Sequence, residues 1–114
     1  MHLTLLKSKI HMGQVTGCKV DYEGSITLGE QLMDACGIME YERVLVADVR
    51  NGARFETYAL RGEGRQIQVN GAAAKLVTEG DKLIIMSFAS MTEDEAISHI
   101  PNVLRLTEDN AIIR

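Results

Sequence analysis

The side chains with reactive potential gather in four short segments. Tyr22-Glu23-Gly24-Ser25 ends on a hydroxyl, a weak nucleophile until its surroundings activate it. Lys9-Ile10-His11 offers a cation and one of only three histidines, the side chain best suited to exchanging protons near neutral pH. The stretch Asn51 to Ala59 carries Arg54, whose planar fork matches a carboxylate, together with Thr57 and Tyr58. Asn70-Gly71-Ala72-Ala73-Ala74 has small side chains, which let another molecule approach the backbone. Each segment also has an ordinary reading: a Gly-Ser turn, a solvated arginine, a hydrogen-bonded strand histidine, a tight turn entering a short helix. Residue types and spacing alone name no reaction.

Short strands and two short helices must position these segments. Leu3 to Leu6 and Gln14 to Val20 read as strands, with β-branched residues among polar ones. Thr27 and Glu30 form a capping box for a helix whose apolar positions Leu28, Leu32, Ala35 and Cys36 recur until Gly37 stops it. Arg43 to Val49 and Arg54 to Leu60 are antiparallel strands joined near Asn51-Gly52. Gln66 to Val69 is a strand that ends in the Asn70-Gly71 turn. The apolar run Lys82 to Phe88 is expected to be buried on both faces. Thr92 and Glu95 cap a second helix that ends before Pro101, and Asn102 to Leu106 and Ala111 to Ile113 close the chain as strands. Strands this short and evenly spaced favour a closed barrel, so the fold class is mainly β. On a regular strand Arg54, Glu56 and Tyr58 share a face while Thr57 points the other way. Thr57 and Tyr58 can serve one pocket only through a bulge or a site shared between subunits.

The 114 residues fit one domain spanning 1–114. With 46% apolar and 25% charged residues the chain has an ordinary globular composition. Its net charge of -4 argues against a broad nucleic-acid or anionic-membrane footprint, which needs clustered Lys and Arg. No apolar run is long enough to cross a bilayer, and Met1 to Lys9 is not a signal peptide, so a cytoplasmic protein is expected. Cys18 and Cys36, without a CxxC or a companion histidine, read as two buried thiols, and no metal site is expected.

The order of the segments adds what their composition does not. Lys9-Ile10-His11, Tyr22-Glu23-Gly24-Ser25, Asn51 to Ala59 and Asn70 to Ala74 follow one another as in the aspartate 1-decarboxylase family, which the chain resembles from end to end. The resemblance implies a six-stranded double-psi β-barrel, a homotetramer with active sites at subunit interfaces, and conversion of L-aspartate to β-alanine for pantothenate and coenzyme A. It further implies cleavage between Gly24 and Ser25, giving a β chain of 1–24 and an α chain from position 25 that begins with a pyruvoyl cofactor made from Ser25. Gly24, by lacking a Cβ, would allow the strained dihedrals of that cleavage. Thr57 is the implied maturation residue near the oxyanion and a substrate contact, with Asn70, Tyr22 and His11 ordering the loop or moving protons. Tyr58 is the implied proton donor, since a phenol stays protonated at neutral pH. Arg54, with Lys9 as second cation, would hold the retained carboxylate, and Gly71, Ala72 and Ala73 would contact substrate. The chain departs from many members at Met12 and Gly13 and at Ala47. The residues leave open whether a maturation factor assists cleavage. They also leave as alternatives a barrel that never matures and serves as a binding or regulatory subunit, a swapped-hairpin transcription factor, and another amino acid substrate.

Overall fold

The computed structural model describes residues 1–113. Eight strands, β1 (His2–Gln14), β2 (Gly17–Lys19), β3 (Ser25–Gly29), β4 (Arg43–Asp48), β5 (Arg54–Gly62), β6 (Ile67–Asn70), β7 (Lys82–Thr92) and β8 (Asn102–Arg105), form one sheet in the order β2-β6-β3-β5-β4-β7-β1-β8. Two helices, α1 (Glu30–Cys36) and α2 (Glu93–Ile97), interrupt them. The mainly β expectation holds, with two strands more than the six the resemblance implied; β2 and β8 are only three and four residues long.

The core lies on one face. Ile10, Val44, Val46, Leu83, Ile85 and Leu104 are fully or almost fully buried, joined by Leu32 and Cys36 of α1. Their alternates on the same strands, Lys9, His11, Leu45, Ile84 and Met86, are half-buried and point the other way, as the two-residue period requires. This corrects the expectation for Lys82 to Phe88. Only Leu83, Ile85 and Ser87 are buried, and Phe88 is 45% exposed, because one chain covers one face of β7.

Four further expectations change. Leu3 to Leu6 belongs to a single 13-residue β1 that runs to Gln14. Register shifts after Leu6 and after His11, where Met12 has φ 65, break its alternation and disguise it in the sequence. Thr27 does not cap α1. Ser25 to Leu28 are held extended by β6 on one side and Ile26 to Gly29 by β5 on the other, so the helix starts at Glu30 behind Gly29. Gly37 does end it, in the left-handed conformation. Ala111 to Ile113 contributes one isolated bridge, Leu106 to Ile112, rather than a strand. Cys18 is exposed on the edge strand β2, whereas Cys36 is buried and burial pushes its thiol upward. The Thr92–Glu95 capping box forms as expected.

Candidate active site

Asn70, the last residue of β6, pairs with Lys19 of β2 on one side and Ser25 of β3 on the other. β2 and β3 run antiparallel to each other with β6 between them, so residues 20–24 must arch over the end of β6. Directly after that end comes Gly71, with φ +78. A Cβ there would lie 2.5 Å from the Cα of Gly24, 2.8 Å from its nitrogen and 3.2 Å from the carbonyl oxygen of Tyr22. The close approach needs glycine at 71 twice over, for conformation and for space. A Cβ at Gly24 itself would point into open space, with nothing within 4 Å, and the φ of Gly24 is not positive. The strained glycine expected at 24 is therefore found at 71, because the arching loop is wide and the strand end beneath it is crowded.

Under this arch Ser25 is 1% exposed and Asn70 is fully buried. The Asn70 Nδ2 donates to Ser25 Oγ and to Thr27 Oγ1, each at 3.0 Å, and Ser25 Oγ donates to the Glu23 carbonyl at 3.0 Å. Asn70 Oδ1 in turn accepts from Gln68 Nε2 at 2.7 Å. Tyr22 is half-exposed, anchored by its backbone N–H to the Lys19 carbonyl at 3.3 Å. The hydroxyl at 25 thus has one fixed donor and one fixed acceptor, and it is screened from water.

β5 runs parallel to β3 with Ile26 opposite Ala59. Ser25 and Tyr58 each stand one residue before that pair, on adjacent strands and on the same face. Thr57 faces the opposite way with Ala59, and its hydroxyl makes no side-chain hydrogen bond among the described residues. The β4–β5 register is unbroken from Arg43–Tyr58 to Ala47–Arg54, which removes a bulge between these strands as the means of turning Thr57 and Tyr58 together. Arg54 lies four residues before Tyr58 on the same face, roughly 13 Å along the strand. It is exposed, with no salt bridge among the described residues. Lys9 and His11 share that outward face: His11, Ile84, Ala47 and Arg54 stand in one row across β1, β7, β4 and β5, and Lys9, Met86, Leu45 and Glu56 in the next. Three strands separate β1 from β3 in the sheet order. Within one chain Ser25, Tyr58, Asn70 and Gly71 come together, whereas Lys9, His11 and Arg54 do not join them. Ala72 is exposed and Ala73 half-buried in the 3-10 turn Gly71–Lys75 that follows the arch.

The hairpin carrying Arg54 is docked by polar contacts that no motif in the sequence announces. Arg50 Nε donates to Asp81 Oδ1 at 2.7 Å, its Nη2 donates to Thr78 Oγ1 at 3.2 Å, and Asn51 Nδ2 donates to the Leu76 carbonyl at 2.8 Å. Asp48 Oδ1 accepts the Arg50 backbone N–H at 2.8 Å, while its Oδ2 is buried without a protein partner. The Arg50 guanidinium holds the Asp81 carboxyl down at about 2, whereas burial and then the neighbouring Asp81 push Asp48 upward. The two carboxyls titrate as an interacting pair, Asp81 giving up its proton more readily than Asp48. Gln66, Gln68 and Asn70 are three amides at a strand period of two, a signal visible in the sequence but there suggesting only a strand and a turn.

The site is a buried serine on a mainly β sheet, hydrogen-bonded to Asn70 and to the loop above it. The family model described as aspartate decarboxylase matches residues 1–113. Proteins named aspartate 1-decarboxylase are similar nearly throughout. The one from Clostridium acetobutylicum is 49% identical over 98% of this chain and 90% of its own length. Those from Clostridium beijerinckii and Campylobacter jejuni are each 50% identical, covering 98% and 96% of this chain and 92% and 88% of their own. The chain belongs to the aspartate decarboxylase family. Among the described residues no helix is long and apolar enough to cross a membrane.

Proposed function

We propose that the chain decarboxylates L-aspartate to β-alanine with a pyruvoyl group that it makes from Ser25, and that the product serves pantothenate and coenzyme A synthesis. The observation that carries this reading is Ser25 held by Asn70 beneath a loop pressed onto Gly71. In self-cleavage the Ser25 Oγ bonds to the Gly24 carbonyl carbon as the amide C–N bond breaks, leaving an ester and a free amine on residue 25. Loss of the residue 25 α-proton then breaks the Cβ–Oγ bond, and the released oxygen becomes part of the Gly24 carboxylate. Water replaces the amine, which departs as ammonia, and the ketone remains at position 25. Asn70 Nδ2 already donates to the oxygen that takes the negative charge in the elimination.

The surroundings fit such a group. Gly24 is exposed and open on the side a Cβ would take, so a Tyr22–Gly24 end freed by cleavage can lift off Gly71 and open position 25 to substrate. The pyruvoyl group supplies an electron sink for the substrate amine. Tyr58 is on the right face and the adjacent strand to deliver the proton to the substrate α-carbon. Arg54 binds the retained carboxylate bidentately, Lys9 adds a second positive charge, and the small residues Gly71, Ala72 and Ala73 let substrate approach the backbone. Thr57 and His11 remain maturation residues in this reading, Thr57 at the level of the cleavage loop on the core face.

Arg54 stands ~13 Å along the strand from Tyr58, and in this reading the carboxylate clamp comes from a neighbouring subunit. The half-buried outward row of Leu45, Ile84 and Met86, with the 45% exposed Phe88, supports a homotetramer whose sites lie at interfaces. The test is carbon dioxide release from aspartate by wild type and Ser25→Ala. Wild type is expected to turn over and the variant to be inert; turnover by Ser25→Ala would remove the serine from the chemistry.

A further inference from the structure

We infer that Gln68 is a positioning residue for the self-cleavage, acting through Asn70 as the middle link of a one-directional chain of amides. The inference rests on the self-cleavage reading above and deepens it. Gln66, Gln68 and Asn70 occupy alternate positions at and just before β6 and so share a face. The Glu63 backbone N–H donates to Gln66 Oε1 at 3.4 Å, and Gln66 Nε2 donates to Gln68 Oε1 at 3.4 Å. Gln68 Nε2 donates to Asn70 Oδ1 at 2.7 Å, and Asn70 Nδ2 donates to Ser25 Oγ at 3.0 Å.

Every amide in the series accepts through oxygen and donates through nitrogen. A backbone N–H can only donate, so the first link sets the direction of the rest. Turning Asn70 over would set its NH2 against the NH2 of Gln68 and its carbonyl oxygen against the hydroxyls of Ser25 and Thr27. The shortest bond of the chain, from Gln68, therefore decides that Ser25 Oγ meets a donor. That leaves the serine proton to the Glu23 carbonyl and fixes the hydroxyl rotor. It also keeps an N–H on the oxygen through the elimination, when the Cβ–Oγ electrons pass to it.

Changing Gln68 to Glu inverts this link. At neutral pH a carboxylate accepts only; it attracts the Asn70 NH2 and presents the Asn70 oxygen to Ser25. Protonation in the carboxylate range restores an O–H donor and with it the original direction. The full-length chain is made by cell-free translation, and conversion to the two fragments is timed from pH 4 to 8 for wild type, Gln68→Glu and Gln68→Met. Gln68→Glu is expected to cleave about tenfold or more slowly at pH 7, worse than Gln68→Met, and to recover relative to wild type as pH falls. Melting of each variant in a Ser25→Ala background reports folding separately. Wild-type speed for Gln68→Glu at pH 7 would overturn the inference. So would equal, pH-independent losses for both variants with lowered melting, which mean packing alone. A wild-type chain that never cleaves removes the self-cleavage reading itself, a distinct outcome from either.

Discussion

Replacing Gly71 by alanine tests whether the arch over the end of β6 is held by contact. The residue has φ +78, where an L side chain costs of order 1–3 kcal/mol. Its Cβ would also stand 2.5 and 2.8 Å from backbone atoms of Gly24, which cannot yield as a flexible side chain would. Overpacking of that kind adds roughly 1–3 kcal/mol, so a total of about 2–6 kcal/mol is expected. Gly52 provides the control: its φ is +74 with nothing within 4 Å, and Gly52→Ala bears the conformational cost alone. The difference between the two variants, about 1–3 kcal/mol, is the contact between position 71 and the cleavage loop. It is read by urea unfolding in a Ser25→Ala background at one fixed protein concentration, so that neither cleavage nor assembly shifts the baseline. With Ser25 present, Gly71→Ala should also slow fragment formation as the loop lifts. Gly24→Ala, whose new Cβ would meet nothing within 4 Å, should fold with near-normal stability. Equal stability of Gly71→Ala and Gly52→Ala, with normal cleavage in both, would refute the reasoning.

Five other outcomes follow from the same geometry. Tyr58→Phe should fold and cleave normally yet lose roughly 10²–10⁴-fold in aspartate turnover, measured by steady-state carbon dioxide release. Arg54→Ala should raise KM for aspartate with little change in melting temperature, since the side chain is exposed and has no salt bridge among the described residues. Ser25→Ala and Arg54→Ala, inactive or impaired separately, should regain activity when co-expressed, because a mixed interface supplies both groups; no gain would place the whole site in one chain. Asp81→Asn should destabilise at neutral pH, an effect that fades as pH drops from 3.8 towards about 2, because a depressed carboxyl stabilises only above its unfolded value. Asp48, raised by burial, contributes stability below its unfolded value that is lost as pH rises through the folded one, so Asp48→Asn should be neutral or stabilising at pH 7. Urea titrations from pH 2 to 8 separate the two.

The parts of the fold that are legible in the sequence are those set by neighbours in the chain. The Thr92–Glu95 box, the Gly37 stop and the hairpin around Asn51-Gly52 depend on residues a few positions apart. Thr27 and Glu30 carry the same local signature as the first of these, yet pairing on both sides of β3 overrides it and Asn70 takes the threonine hydroxyl. The length of β1 is hidden by two register shifts that reverse which side chains face inward. At the site, the segments are legible but their meeting is not. Ser25 and Asn70 are 45 residues apart, and only the passage of the loop over β6 brings them to 3.0 Å. The need for glycine at 71 rather than 24 likewise depends on what passes above it, which no local pattern encodes.

The central claim is that the chain breaks itself before Ser25 and leaves a ketone there. An intact-mass spectrum of the purified, active protein, taken with and without a carbonyl-reactive hydrazide, addresses it directly. Two fragments are expected, one ending at Gly24 and one starting at position 25, the second lighter by one ammonia than a serine-headed chain and shifted by the hydrazide. A single unbroken, hydrazide-inert polypeptide that still decarboxylates aspartate would contradict the account.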